Sequence, residues 1–397
     1  MRRFRIGSAF GIPIKLDLTF LLVLPLFAFV IAIQVETWTG MLNQFWTANI
    51  DPAPLSDPPV SWILGLTAAL GLFAGIVLHE LGHSLVAMRY GVAIDSITLW
   101  LFGGIAQLEE FPDEWQQELY VAIAGPIVSV ALGVVSYGAF LLVPPSETLA
   151  LEATRFLLGY LAVMNVALAV FNMLPGFPMD GGRVLRALLV RNRPYAQATK
   201  IAAEVGKVFA IFLGLAGVFV VFNPFLIALA FFIYIGASSE AQQTIMRAAF
   251  EGVVVADIMT PADRVETVDE DTSVATLVEK MLAYRHTGYP VERDGEIVGI
   301  VTLEDARAVR DVEQEAYTVG DVMSRDIHTV HPAADVMEAL TEMQENSIGR
   351  LIVADEEFAG LLTRTDIMTA LSIIKTSGQF DKPSTEAGET DGWQSQP

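Results

Sequence analysis

The sequence predicts a polytopic α-helical membrane domain, with about six transmembrane helices and a membrane-embedded β hairpin, followed by a smaller α/β module. Of 397 residues, 53% are hydrophobic and 18% are charged, whereas about a quarter are charged in typical soluble domains. Residues 1–250 carry 13 basic and 16 acidic side chains, but residues 251–397 carry 11 and 30. The first part is therefore expected to face lipid and the second to face water.

The composition excludes several classes of function. With no cysteine, the chain has no disulfides or thiolates, so any metal must be held by His, Asp or Glu. A net charge of -22 argues against a nucleic-acid partner, because an acidic chain repels phosphates.

Six apolar runs have the length needed to span a bilayer. The first follows a basic start, as in a signal peptide, but it is long for one and lacks a clear cleavage site, so we interpret it as a span. The runs lie at roughly 18–35, 62–88, 119–143, 156–175, 205–222 and 224–238.

The distribution of Lys and Arg predicts the orientation of these spans. Segments 36–60 and 144–154 contain neither residue type. The alternate connections contain Arg89, six basic residues from Arg183 to Lys207, and Arg247. The sequence therefore predicts a multi-pass protein of the cell membrane with both termini in the cytoplasm.

Residues 93–108, between the second and third spans, alternate in polarity and then become apolar. This pattern is typical of strands or a re-entrant hairpin. Gly103 and Gly104 lie where another backbone can approach closely.

The second span contains His79, Glu80 and His83. Histidines at i and i+4 share one helix face and can bind one metal ion, and Glu80 beside them can take a proton from water. These are the only histidines in the first 250 residues, within an apolar helix where ionisable groups are costly and usually functional. The alternative is a pair of polar residues that pack helices together.

A catalytic zinc site needs a third protein ligand and one open position. Asp180 is the candidate, because Pro175 and Pro178 interrupt the fourth span before it and two glycines follow it, so the chain can turn back towards the histidines. The alternative is that Asp180 caps a helix that carries Arg183 and Arg186.

The ordered set of motifs in residues 1–250 resembles the site-2 protease family of intramembrane zinc metalloproteases. The matching motifs are Phe10-Gly11-Ile12-Pro13, His79-Glu80-Leu81-Gly82-His83, Gly103-Gly104, Ala124-Gly125-Pro126, and the stretch from Asn172 through Pro175, Pro178 and Asp180 to Gly182. No metal-binding or catalytic position departs from the family's pattern.

The resemblance implies a role for each matching position. It implies that His79, His83 and Asp180 bind one zinc ion per chain and that Glu80 is the general base and acid. Asn172 resembles the residue that steadies the oxyanion, although it could also serve interhelical hydrogen bonding. Gly103 and Gly104 would dock an unwound substrate strand by edge pairing.

Residues 251–375 contain an internal repeat. Asp257-Ile258-Met259-Thr260 recurs at 321–324, and the segment 299–305 recurs at 360–366. This pattern resembles a tandem pair of CBS (cystathionine-β-synthase-type) domains.

The CBS resemblance implies an adenosine nucleotide bound by Thr302 with Asp305 and by Thr363 with Asp366, with weaker candidates in Arg350 and His286. The alternatives are that the Thr and Asp residues only cap helices, or that the module is a dimerisation platform. A homodimer through the CBS domains is expected on the same resemblance.

These observations predict five segments. They are a transmembrane zinc metalloprotease domain at 1–240, a linker helix at 241–250, CBS domains at 251–311 and 312–375, and a disordered acidic tail at 376–397.

The predicted function is hydrolysis of peptide bonds in or near transmembrane helices of membrane-protein substrates, with the CBS pair as a nucleotide-responsive regulator. The alternative is a CBS-regulated transporter or channel, which predicts polar residues spread along several spans.

Overall fold

The protein is described by a computed structural model that covers residues 3–100, 103–108, 114–146 and 148–376. The predicted disordered tail lies outside these residues, apart from its first position. The chain divides into two compact units, Met1–Gln242 and Gln243–Pro397.

The first unit is mainly helical. Its helices are α1 (Phe20–Ile33), α2 (Val35–Trp46), α3 (Ala53–Ser56), α4 (Val60–Arg89), α5 (Trp115–Leu142), α6 (Leu149–Asn172), α7 (Asp180–Val190), α8 (Tyr195–Phe219) and α9 (Pro224–Phe250). Residues 241–250, predicted as a separate linker helix, continue α9 without a break.

Five of these helices, α4, α5, α6, α8 and α9, are long and apolar enough to cross a membrane. The predicted first span is not one straight helix. α1 has 14 residues, which gives about 21 Å of rise and falls short of a hydrocarbon core of about 30 Å. Only together with α2, across a bend of 61°, does it meet the same test.

A four-stranded sheet, which the sequence predicts only in part, accompanies the helices. The strands are β1 (Arg3–Ala9), β2 (Ile12–Asp17), β3 (Ile94–Trp100) and β4 (Gly103–Leu108), in the order β1-β2-β3-β4. The β3–β4 pair is the expected hairpin, and β2 pairs in parallel with β3. Ile12, Ile97 and Leu81 form a buried cluster, so the sheet packs on the half of α4 that carries the histidines.

The second unit is the predicted α/β module. Its strands are β5 (Thr260–Pro261), β6 (Val268–Asp269), β7 (Gly288–Arg293), β8 (Glu296–Thr302), β9 (Thr329–Val330), β10 (Arg350–Ala354) and β11 (Phe358–Thr363). Its helices are α10 (Val255–Ile258), α11 (Val274–Tyr284), α12 (Leu303–Arg307), α13 (Val319–Val322), α14 (Val336–Glu345) and α15 (Arg364–Thr376).

The strands of the second unit form two sheets, β6-β7-β8 and β5-β11-β10-β9. Each sheet has its own apolar core: Leu277, Tyr289 and Val301 lie in one, and Met343, Leu351 and Leu362 in the other. The internal repeat of the sequence is thus a structural repeat.

Candidate metal centre

The two histidines of α4 project from one face of the helix, as their spacing requires. Their ring centroids are 4.8 Å apart, and their Nε2 atoms are 3.1 Å apart. Both side chains are almost fully buried, with 3% and 7% of their surface exposed. The site therefore lies inside the helical unit.

Asp180 reaches the same point from α7. The Asp180 Oδ2 atom lies 3.1 Å from His79 Nε2 and 3.2 Å from His83 Nε2. The residue before α7, Met179, is extended, and no described side chain caps this helix. The Asp180 carboxylate therefore faces the histidines, and the alternative of a simple helix cap does not describe its contacts.

The three atoms fit a metal ion. Ligand atoms about 2.0–2.1 Å from a tetrahedral zinc are about 3.3 Å from one another, close to the separations of 3.1–3.2 Å found between His79 Nε2, His83 Nε2 and Asp180 Oδ2. Among the described residues, these three form the group of His, Cys, Asp or Glu side chains able to hold a metal ion.

Residues of α5 orient both imidazoles. His83 Nδ1 lies 2.7 Å from the Val121 carbonyl oxygen, which can only accept, so Nδ1 carries the proton and Nε2 of the neutral ring offers its lone pair. His79 Nδ1 lies 2.8 Å from Ser129 Oγ. Such partners fix the ring orientation of metal-binding histidines.

Gly125 lies between these two partners on the same face of α5. A Cβ atom at this position would lie 2.2 Å from His83 Nε2 and 2.6 Å from His79 Nε2. Only glycine therefore leaves the space at the meeting point of the ligands open, which is a second reason why the residues present fit a metal ion.

Glu80 is half-buried on α4 beside this group. Its carboxylate interacts electrostatically with His79, His83, Asp180 and Arg183. A proton-accepting group therefore lies next to the ligand set, in the surroundings expected from the sequence.

A buried charge network holds α7 in place. Arg186 has 1% of its side chain exposed, and its Nε donates to Glu118 Oε1 of α5 at 2.6 Å while Nη1 donates to Glu240 Oε1 of α9 at 3.0 Å. The guanidinium also lies 4.8 Å from the ring centre of Phe177. Since α7 carries both Arg186 and Asp180, these contacts fix the helix that supplies the third ligand.

The remaining predicted residues of the first unit are not part of the group formed by His79, His83 and Asp180. Asn172 is the half-buried last residue of α6, where the chain leaves towards Asp180. Gly103 and Gly104 begin β4 and pair with Trp100 and Leu99. Within the described residues, β4 pairs with β3 alone and forms one edge of the sheet.

The second unit contains two clefts at the predicted nucleotide positions. The Thr302 cleft has a volume of about 390 Å³ and the Thr363 cleft about 460 Å³, within the usual range for small-molecule sites. In each, the threonine Oγ1 donates to the following aspartate's Oδ2 at 2.7 Å. The contacts within each Thr–Asp pair are therefore those of a helix cap, as the alternative predicts. Each pair nevertheless lies beside its cleft.

Arg350 lines both clefts. Its Nη2 donates to Thr287 Oγ1 at 3.1 Å, and its Nε is buried without a hydrogen-bond partner among the described residues. Burial lowers the pKa of the Arg350 guanidinium, and the Asp305 carboxylate opposes that change. A half-buried cation with an unused donor is suited to an anionic ligand.

Comparison with known proteins agrees with this arrangement. The family model for peptidase family M50 matches residues 67–150 and 146–213, and that for the CBS domain matches 255–310 and 319–373. A zinc metalloprotease of Methanocaldococcus jannaschii is 34% identical over 372 residues, which cover 94% of this chain and 96% of that protein. The chain belongs to peptidase family M50, the site-2 protease family.

Two further proteins are similar to this M50 chain. Rip3 of Mycobacterium tuberculosis is 34% identical over 335 residues, 80% of this chain and 83% of that protein. The solved site-2 protease from Methanocaldococcus jannaschii is 34% identical, covers 60% of this chain and 95% of its own, and superposes with a TM-score of 0.42. The family models and the curated relatives confirm the predicted family, and the helices and strands described above confirm the predicted fold class.

Sequence reasoning missed Val121 and Ser129, and it named Gly125 only within the motif Ala124-Gly125-Pro126, without a role. Val121, Gly125 and Ser129 recur every four residues, so they share the face of α5 that meets the histidines. That spacing was the available signal, although small residues along this span are equally typical of helix packing.

Proposed function

We propose that this chain hydrolyses peptide bonds in or near the transmembrane helices of membrane proteins, with His79, His83 and Asp180 holding one zinc ion and Glu80 moving the proton. The observation that carries the proposal is the convergence of two imidazole nitrogens and one carboxylate oxygen, 3.1–3.2 Å apart, opposite Gly125. Membership of peptidase family M50 favours proteolysis over the transporter alternative.

The chain is a membrane-embedded zinc metalloprotease. When bound, zinc acts as a Lewis acid that polarises a carbonyl and makes water nucleophilic near pH 7. The chain's own groups supply the remainder. The Glu80 carboxylate takes a proton from the attacking water and delivers it to the departing amide nitrogen. Ser129 and the Val121 carbonyl keep both imidazoles in their ligand orientation.

The proposed oxyanion residue is Asn172. Its support is its place at the end of α6, eight positions before Asp180 and half-buried. A side-chain amide can donate a hydrogen bond to the negative oxygen that develops during peptide hydrolysis.

The proposed substrate dock is the edge of β4 at Gly103 and Gly104, which no other strand of the described residues covers. A helix in lipid satisfies its backbone hydrogen bonds internally, so its peptide bonds must be exposed before cleavage. An unwound segment could then pair with this edge as an added strand, and two glycines would let its backbone approach closely.

The proposed orientation has both termini in the cytoplasm. The absence of Lys and Arg from 36–60 and 144–154 supports it. Arg155, immediately after the second segment, is buried with 6% of its surface exposed and donates to the carbonyl oxygens of Ala48 and Val143. It therefore serves the packing of this end of the unit and is not a loop charge.

The proposed role of the CBS pair is regulation by an adenosine nucleotide. The two clefts, the Thr–Asp pairs beside them and the half-buried Arg350 support it. A homodimer through this pair is proposed as well, supported by exposed apolar side chains such as Leu282 on α11 and Val312, which are 77% and 88% exposed.

The test is cleavage of labelled single-span helices by the purified full chain beside Glu80→Gln, with zinc measured in both. We expect the variant to retain zinc and to lose on the order of 10²–10⁴-fold in cleavage rate. A variant with wild-type cleavage would refute the role of Glu80, and a wild-type protein without zinc would refute the metal site.

A further inference from the structure

The two CBS clefts are built on equivalent frameworks but carry different charges. The strand register defines the equivalence: Gly288 pairs with Thr302 in the first repeat, and Arg350 pairs with Thr363 in the second. Positions counted from these pairs can therefore be compared one by one.

Three basic or polar positions of the Thr363 cleft have acidic or uncharged equivalents in the Thr302 cleft. Arg264, four residues before Val268 of β6, corresponds to Asp326, four residues before Val330 of β9. Arg285 corresponds to Ser347, since each lies three residues before the paired position and has a positive φ, of 59° and 56°. His286 corresponds to Ile348.

The residue directly before the aspartate of each Thr–Asp pair differs in the same direction. Glu304 lines the Thr302 cleft, and its equivalent in the Thr363 cleft is Thr365. A carboxylate here repels an anion, whereas a hydroxyl can donate to it. The position lies in the first turn of α12 or α15.

Arg350 serves both clefts because its equivalent is Gly288. A Cβ atom on Gly288 would lie 1.9 Å from Arg350 Nη1, so the guanidinium occupies the space that a side chain of the first repeat would fill. The Thr363 cleft thus has three arginines against the carboxylates of Glu266 and Asp366, and the Thr302 cleft has one arginine against Glu304 and Asp326.

One pair of positions runs against this trend. Glu266 lines the Thr363 cleft and its equivalent in the other is His328. The Glu266 carboxylate lies 3.2 Å from Lys280 Nζ, and His328 Nδ1 lies 2.9 Å from Glu342 Oε1. Each of these two side chains is therefore engaged by a neighbour outside the cleft lining.

We propose that the chain binds a single phosphate-bearing adenosine nucleotide, in the Thr363 cleft, and that Glu304 and Asp326 exclude it from the Thr302 cleft. Arg264, Arg285 and Arg350 select the phosphate group. This assignment rests on the proposed nucleotide-responsive function. It adds which cleft binds the nucleotide, which residues select the phosphate group, and that one nucleotide binds per chain.

The test is equilibrium dialysis of the purified full chain with radiolabelled AMP, and with adenosine as the uncharged comparison. We expect one AMP per chain. Thr365→Glu should weaken AMP binding on the order of tenfold, because it adds a negative charge beside the phosphate, and should affect adenosine less. Glutamate is favourable in the first turn of a helix, so the substitution is compatible with folding.

Asp366→Asn and Asp305→Asn form a matched pair, since asparagine keeps a capping acceptor in both. Only Asp366→Asn should weaken AMP binding. Two AMP molecules per chain, or loss of binding in Asp305→Asn alone, would overturn the assignment of the cleft. A wild-type chain that binds neither AMP nor adenosine would overturn the proposed nucleotide response together with this inference.

Discussion

The two units of this chain differ in how they accommodate charge. In the first unit, Arg186 has 1% of its side chain exposed and lies between Glu118 and Glu240, which are 6% and 25% exposed. In the second unit, Arg310 pairs with Glu313 while 77% of its side chain is exposed. A buried ion that loses its partner is costly, whereas an exposed pair contributes little. Single changes should therefore have large effects in the first unit and graded effects in the second.

The largest expected effect separates the two kinds of ion pair. Arg186→Ala leaves the Glu118 carboxylate buried without its partner, so we expect a loss of about 3–5 kcal/mol in stability. Arg310→Ala is the matched control and should cost about 1 kcal/mol or less. Thermal unfolding of the full chain, with hydrogen exchange of α5 and α7 peptides, measures both.

Equal destabilisation by Arg186→Ala and Arg310→Ala would contradict the distinction between buried and exposed pairs. Retention of wild-type protection in α7 by Arg186→Ala would show that other contacts position this helix.

A smaller effect, on zinc affinity, is expected at Ser129, which contacts a proposed ligand but is not one itself. Ser129→Ala removes the hydrogen bond to His79 Nδ1, so zinc affinity should fall by about 10–100-fold with little change in folding. Ser238→Ala is the control, because that hydroxyl donates to the Tyr234 carbonyl of its own helix. Competition with a chelator measures the zinc affinity of each variant, and equal affinities would refute the orienting role of Ser129.

The smallest effect concerns the pH dependence of the second unit. Hydrogen bonds from Arg293, and then from Arg325, lower the pKa of Glu270 to about 2 from an ordinary 4.5. Because the folded-state pKa is depressed, the stabilisation is present above pH 4.5 and disappears as the pH falls through about 2. Glu270→Gln should lack this dependence.

Acid unfolding of both proteins, followed by circular dichroism at two salt concentrations, tests the role of Glu270. The difference between wild type and Glu270→Gln should shrink at high salt, since both arginines are about half exposed. Parallel acid-unfolding curves would rule out a contribution from this cluster.

The sequence predicted which side chains meet at the candidate metal centre better than it predicted the residues that position them. His79, His83 and Asp180 carry chemical identity and spacing that an apolar context makes conspicuous. Ser129 carries no such signal, and the motif Ala124-Gly125-Pro126 assigns Gly125 no role. The roles of both residues depend on which face of α5 meets α4, and that is decided by tertiary packing.

The prediction of the fold was likewise incomplete. Long apolar runs revealed α4, α5 and α6, but α2 and the strands β1 and β2 were not predicted. Short strands lack a distinctive period when their partners are distant in sequence: β2 pairs with β3 some 80 residues later. The repeat revealed both CBS domains, although the charge difference between their clefts required the register of the strands.

The most direct test of the metal centre is the zinc content of Gly125→Ala beside Gly138→Ala. Both lie in α5. An added Cβ meets both histidine Nε2 atoms at position 125, whereas at 138 it meets no atom of the described residues within 4 Å. Alanine favours helix over glycine by about 1 kcal/mol, so helix stability cannot explain a loss. We predict that Gly125→Ala folds without zinc and does not cleave substrate, whereas Gly138→Ala retains both; full zinc occupancy in Gly125→Ala would contradict the proposed centre.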